Sequence, residues 1–344
     1  MTLSPELEAL RASVADVLAD HCDDAALRTA IASETGYDAR LYELLAQVGV
    51  LELELPELAI ALEELGKALY SGPVLSSALA ARALDRAEAG RELVAKINAG
   101  SLLGALAIAQ PRGARIPDPT VGLSDGKLSG TAPFVIDGLS ADLILVEAMN
   151  GGELELWLVE PGASGVTRTA LPTTDIARRV GSITFEATPA TRLGNRTLVE
   201  RQRAAVLIAI ACEQVGGAQG ATDSAVSYSL VRTQFGRQIG SFQSIKHLCA
   251  DMFVAVESGR AAVRRAAQGL ARHDPDMFNL AHVAKAWASD AYVMCAENNV
   301  QIHGGIGFTW EHSAHLHLRR AKSSELLFGD AAFHRSALAD SLGI

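Results

Sequence analysis

The sequence predicts an α+β protein built in three consecutive parts, helical, then β, then helical again. Three observations predict it. Apolar residues recur at helical spacing through residues 3–105. From about residue 106 the pattern changes to short alternating or β-branched runs separated by glycines. From residue 196 the three- and four-residue spacing returns and persists over long segments. The expected domains are therefore 1–105, 106–195 and 196–344, and a chain of 344 residues is long enough for two or three of them.

In the first part, Leu7, Leu10, Val14 and Leu18 share one helical face behind a Ser4-Pro5-Glu6 start signal. Leu41, Leu44, Leu45 and Val48 keep the same period, as do Ile60, Leu62, Leu65 and Leu69, and Ser71-Gly72-Pro73 is a break. In the second part the strand candidates are Leu128 to Ile136, Leu143 to Val146, Leu154 to Val159 and Ser182 to Phe185. Asp125-Gly126 and Asn150-Gly151-Gly152 supply hairpin turns, so the expected sheet is small and antiparallel. In the third part the helical pattern covers Ala204 to Leu230, Phe242 to His273 and Phe278 to Gln301, then resumes after Gly304-Gly305. Ala211, Gly216, Gly217 and Ala221 are small enough to let helices approach closely.

Composition narrows the functions. Apolar residues make up 49% and charged ones 20%, an ordinary globular balance, and the net charge of −10 argues against a general nucleic-acid binder. Cys22, Cys212, Cys249 and Cys295 are scattered without a CxxC pair, which suits reduced thiols in a cytosol. The start, MTLSPELEALRASV, lacks an apolar signal region. The longest apolar run, Ala204 to Cys212, is nine residues, against the roughly 20 that a membrane-spanning helix needs. A cytoplasmic protein without a membrane span is expected.

The most informative stretch is RTQFGRQIGSFQSIKHLCAD, Arg232 to Asp251. Arg232 precedes Phe235-Gly236 by three residues, so a guanidinium fork, a flat ring and an open backbone position arrive together. Such a fork can bond a pyrophosphate bidentately, and glycine lets backbone approach a ligand. Arg237, Gln238, Gln243 and Lys246 add donors. On spacing alone the stretch also reads as a capped helix end with a solvated basic face.

The stretch resembles the FAD-binding segment of acyl-CoA dehydrogenases, in which Arg-x-x-Phe-Gly is followed by a Phe-Gln that opens the next long helix. Here these are Arg232, Phe235-Gly236 and Phe242-Gln243. A second match, Gln301-Ile-His303-Gly304-Gly305-Ile-Gly307, is similar to the family's Gln-x-x-Gly-Gly-x-Gly. The resemblance is strong over about 200–330 and weaker before that. It implies the family fold, a helical domain, an antiparallel β domain and a C-terminal four-helix bundle. It implies FAD as cofactor, contacted by Arg232, Phe235, Gly236, Gln243, Gln301, Gly304 and Gly305. In the family these residues reach across a subunit interface toward a neighbour's adenosine and pyrophosphate.

Other family motifs are missing. Pro56-Glu57 runs straight into a helix, without the usual glycine-rich loop. The family's Thr-Glu-Pro and Gly-Ser-Asp correspond to Ala109-Gln110-Pro111 and Arg112-Gly113-Ala114, and its Trp-Ile-Thr to Phe134-Val135-Ile136. Ala109 and Ile136 thus replace hydroxyls that would bond the flavin edge. The family base removes an α proton of an acyl-CoA while a β hydride passes to the flavin. Alignment on Ala321-Lys322 and Gly329 puts Phe328 at its position, and counting 26 residues back from Arg232 puts Val206 at the alternative one. Neither side chain can accept a proton.

Relocated bases would be Glu213, Glu325 or Asp330. The last two flank Phe328 on an expected helical segment where they should point elsewhere, and Glu213 is expected to pair structurally at a helix contact. His312, His315 and His317 lack the partners of a metal site and are expected to be solvated or packed, with His303 belonging to the glycine turn. Gly304-Gly305-Ile-Gly307 is not a dinucleotide fingerprint, since the GxGxxG spacing fails.

The selective loss is what a subunit would show that abandons its own site and still completes its neighbour's. The resemblance implies a subunit of a heteromeric α2β2 acyl-CoA dehydrogenase whose homologous partner carries the base and binds the acyl-CoA, by analogy a steroid-CoA, with an electron-transfer flavoprotein or similar acceptor. The alternatives are a homotetrameric acyl-CoA dehydrogenase with a relocated base, and a flavin-free acyl-CoA-binding or scaffold protein.

Overall fold

The computed structural model describes residues 3–111 and 116–344. The first part is helical: α1 Pro5–His21, α2 Asp24–Ala32, α3 Ala39–Gln47, α4 Leu55–Lys67, α5 Val74–Arg86 and α6 Arg91–Asn98. Their starts follow from local chemistry. Asp23 accepts a hydrogen bond from the Ala26 amide at 2.8 Å and caps α2, while prolines Pro5 and Pro56 occupy the first turns of α1 and α4, where no amide hydrogen is missed.

The second part holds β1 Gly104–Ala107, β2 Val121–Ser124, β3 Lys127–Ile136, β4 Leu143–Asn150, β5 Glu153–Val159, β6 Val166–Ala170, β7 Val180–Pro189 and β8 Thr191–Gly194. They form one sheet in the order β6-β7-β3-β2-β4-β5-β8, with β1 also paired to β4. Most pairings are antiparallel; β1 and, at one residue, β2 run parallel to β4. Asp125-Gly126 and Gly151-Gly152 turn their hairpins with positive φ throughout, as two-residue turns of that hand require. One sheet face has its own core of Val121, Leu128, Val146, Trp157 and Phe185.

The third part comprises α7 Arg196–Val231, a small hairpin of β9 Thr233–Gln234 and β10 Arg237–Gln238, then α8 Gln243–Ala271, α9 Met277–His303, α10 Ala314–Leu326 and α11 Ala331–Leu342. Helix α7 packs on α8, α9 and α10, making a four-helix bundle, and α4 crosses its outer side. The crossing is backbone to backbone. A Cβ at Gly216 would stand 1.8 Å from the Glu63 carbonyl oxygen, and one at Gly66 would stand 2.0 Å from that of Glu213, so only glycine fits. Among the described residues α7 is the one helix long and apolar enough to cross a membrane, but 83% of its apolar window is buried inside the protein. Its apolar surface is used in the core.

Candidate functional site

Both glycine-containing motifs lie at one end of the bundle. Helix α7 ends at Val231, and Arg232 turns to extended backbone while its amide still reaches the Tyr228 carbonyl at 2.9 Å. The hairpin that follows pairs Arg237 with Gln234 and Gln238 with Thr233, leaving Phe235-Gly236 as its two-residue tip. The tip has φ of 53° and 77°, and the Phe235 ring is 91% exposed. A bulky residue in left-handed conformation costs on the order of 1 kcal/mol, and an exposed ring recovers little of that by burial. Phe235 is therefore badly placed for stability and well placed to touch something outside this chain.

Behind the tip, the Arg237 guanidinium stacks 4.1 Å over the Phe242 ring, and Phe235 meets Phe242 edge-on at 6.2 Å. Helix α8 starts at Gln243 without a side-chain cap, so its first-turn amides are free for an anion. Among the described residues the Arg232 guanidinium has no hydrogen bond or ion pair, and Arg232, Gln243 and Lys246 are exposed.

Helix α9 closes beside this arm. Tyr228 stacks on His303 at 4.3 Å, which in turn lies 4.2 Å from His312, so Arg232 and Gly304 leave their helices side by side. Gln301, Gly304 and Gly305 are exposed. Gly304 needs its freedom for a φ of 67°, whereas nothing within 4 Å would meet a Cβ at Gly305. No internal contact demands glycine at 305, which leaves approach from outside as the physical use of the bare backbone.

The other half is closed. Phe328 is 7% exposed and packs against a void of about 20 Å³ shared with Ile108, Ala109, Leu207 and Phe333. Its segment is not helical as expected: α10 ends at Leu326, Phe328 and Gly329 take φ of 58° and 104°, and Asp330 caps α11 by accepting the Phe333 amide at 2.8 Å. The glycine and the cap stop the helix. The Phe328 amide donates to Oε1 of Gln110 at 2.7 Å, and fully buried Lys285 donates to the carbonyls of Ser324, Glu325 and Gly329 at 3.0–3.1 Å. Val206, 2% exposed, is plain core. Nothing at either position takes a proton.

On the sheet side, the Ala109 amide donates to Glu147 of β4, whose carboxylate also holds Arg203 of α7 in a fork at 2.8 and 2.9 Å. Burial pushes the Glu147 pKa up, against the pull of Arg203. Ile136 is buried in the main core. Arg112, Gly113 and Ala114 lie outside the described residues.

Glu213 is already engaged. It receives Arg320 at 2.6 Å and Arg178, both of which also pair with Asp175. Burial alone would raise its pKa, but the two guanidiniums win and hold it below the ordinary value. His315 and His317 of α10 are buried, and Nδ1 of His303 donates to the Asn299 carbonyl, 2.8 Å away, at the glycine turn. All four cysteines are free thiols.

Comparison with known proteins agrees with this geometry. The model for the acyl-CoA dehydrogenase C-terminal domain matches residues 201–343. The chain is 34% identical to acyl-CoA dehydrogenase IpdE2 of Mycobacterium tuberculosis, over 95% of this chain and 94% of that protein. The IpdE2 of Mycolicibacterium smegmatis is 36% identical over 95% and 96%. The chain belongs to the acyl-CoA dehydrogenase family.

Members of this oxidoreductase family with solved structures share the whole fold. The steroid acyl-CoA dehydrogenase Tcur3481–Tcur3483, solved as a variant, superposes with a TM-score of 0.92 at 28% identity, covering 99% of each chain. The ChsE4–ChsE5 complex from Mycobacterium tuberculosis superposes with 0.91 at 25% identity, covering 99% of this chain and 98% of that one. Within this acyl-CoA dehydrogenase, sequence reasoning missed Glu147, Arg203, Lys285, Arg178 and Arg320. A signal existed for Lys285: it is a lone charge among Ala281, Ala284 and Ala288 on an apolar helix face, and such charges are buried only with partners.

Proposed function

We propose that this chain is the non-catalytic subunit of a heteromeric, FAD-dependent acyl-CoA dehydrogenase, completing the FAD site of a homologous partner that carries the base, as α2β2. The observation that carries this reading is the buried, apolar Phe328 at the position of the family base, set against an exposed arm of unused donors. Two neighbours whose names describe paired chains, one of them a steroid enzyme, support it.

The residues present fit FAD in one place and not in another. On the arm, Arg232 would hold the pyrophosphate, and Phe235, Gly236, Gln243, Gln301, Gly304 and Gly305 would pack against the adenosine half. In the chain's own cleft, Ala109 and Ile136 offer no side-chain donor to a flavin edge, and the Glu147–Arg203 fork ties the sheet to α7. FAD supplies the hydride acceptor when bound; this chain's residues bind and orient, and none moves a proton. The partner would take an acyl-CoA, of the steroid-CoA class by analogy, and pass electrons to an electron-transfer flavoprotein or similar acceptor in the cytoplasm. The division at residues 105 and 195 goes with this reading, the third domain carrying both the arm and the interface.

The test is Arg232→Ala in the purified complex, read as flavin per heterodimer. A strong drop with the complex still assembled is expected. Unchanged flavin content would remove the arm from the FAD site.

A further inference from the structure

A second polar centre lies where the three parts of the chain meet. It surrounds a void of about 20 Å³ lined by Tyr70 and Gly72 of the first part, Asp137 and Arg178 of the second, and Glu213 and Arg320 of the third. The four charged members are already engaged. Arg178 and Arg320 hold Glu213 and Asp175, and the Ser76 hydroxyl donates to Asp137 at 2.5 Å. Tyr70 differs: it is 6% exposed, yet among the described residues its hydroxyl has no hydrogen-bond partner. A Cβ at Gly72 would stand 2.3 Å from that hydroxyl oxygen, so the glycine leaves it room.

The size and chemistry of the void name its occupant. A buried water needs roughly 10–15 Å³ of such space and two to four polar partners, so about 20 Å³ takes one water and nothing larger. A cation there would stand beside two guanidiniums, and an anion beside two carboxylates. A neutral molecule that both donates and accepts meets neither conflict. The acceptors suffice for it. A carboxylate offers about four acceptor sites; Ser76 takes one on Asp137, and Arg178 and Arg320 take two on Glu213. A buried hydroxyl left unbonded costs stability, and a bridging water serves it nearly as well as a direct partner.

We propose that this void is the binding site of one ordered water, which accepts the Tyr70 O–H and donates to Asp137 and Glu213. The first helical part, the sheet and the bundle then share one bridging molecule, beside the ion pairs that already join the sheet to the bundle. This site is independent of the FAD arm: none of the arm residues lines it.

Two measurements test it. A high-resolution crystal structure of the full-length chain, alone or in its complex, should show one solvent peak within hydrogen-bond distance of the Tyr70 hydroxyl and of Asp137 or Glu213. No peak, a side chain turned into the void, or a peak with the short contacts of a metal ion overturns the proposal. Tyr70→Phe supplies a sign that needs no crystal. Removing a hydroxyl that bonds nothing stabilises a chain, whereas removing one that holds a water weakens it. Urea unfolding should therefore give Tyr70→Phe an unfolding constant about fivefold larger than wild type, the ratio that one net hydrogen bond gives. An equal or smaller constant overturns the site.

Discussion

Replacing Glu213 by Gln separates a structural carboxylate from a catalytic one. In the wild type its charge sits between Arg178 and Arg320, both nearly fully buried, with Asp175 as the other carboxylate. Glutamine keeps the shape and one acceptor but leaves two buried guanidiniums facing a single carboxylate. Removing one partner of a buried pair costs about 3–5 kcal/mol, and the retained acceptor points to the lower end, about 3 kcal/mol. For a chain of this size that is a fall in Tm of roughly 4 °C. The wild-type contribution also has a definite pH window. The folded pKa is lowered, so the stabilisation is fully present above the ordinary carboxylate value and disappears as pH falls through the lowered one. Thermal unfolding of Glu213→Gln should show the loss at neutral pH and a shallower acid dependence. An equally stable variant that has lost turnover in the complex would refute the reasoning and make Glu213 a base.

Two further substitutions probe other parts of the fold. Burial pushes the Asp137 carboxyl from 3.8 up to about 6, against the Ser76 hydroxyl 2.5 Å away and Arg178. Its folded pKa is raised, so its contribution, about 3 kcal/mol for that shift, is complete below the unfolded value and lost as pH rises through about 6. Asp137→Asn should flatten the stability profile between pH 4 and 6, and an unchanged profile in urea unfolding would count against it. Phe235→Asn puts a residue tolerant of left-handed backbone at the hairpin tip, so the chain should gain up to about 1 kcal/mol while its complex loses flavin; loss of stability would show that the ring packs within this chain.

Much of the fold was legible because it is written locally. Helical periods gave α1, α4, α7, α8 and α9, and the Asp125-Gly126 turn gave its hairpin. The hairpin at Phe235-Gly236 was hidden, because the motif read as a ligand segment and its strands are two residues each. Asp330 and Glu325 were read on a continuous helix, yet Gly329 and the Asp330 cap break it. Least legible were contacts between distant segments, such as Glu147 with Arg203 and Glu213 with Arg178 and Arg320. A buried charge in an apolar stripe announces that a partner exists; only the fold says which one. The parallel pairing of β1 with β4 is of the same kind.

The central claim is that this chain completes a flavin site it does not itself contain. The direct measurement is flavin absorbance and native mass of the chain purified alone, then coexpressed with a homologous dehydrogenase chain that carries the base. The account predicts colourless material alone and a yellow complex of both chains on coexpression. A yellow homotetramer of this chain alone, with stoichiometric FAD and turnover of an acyl-CoA, would contradict it.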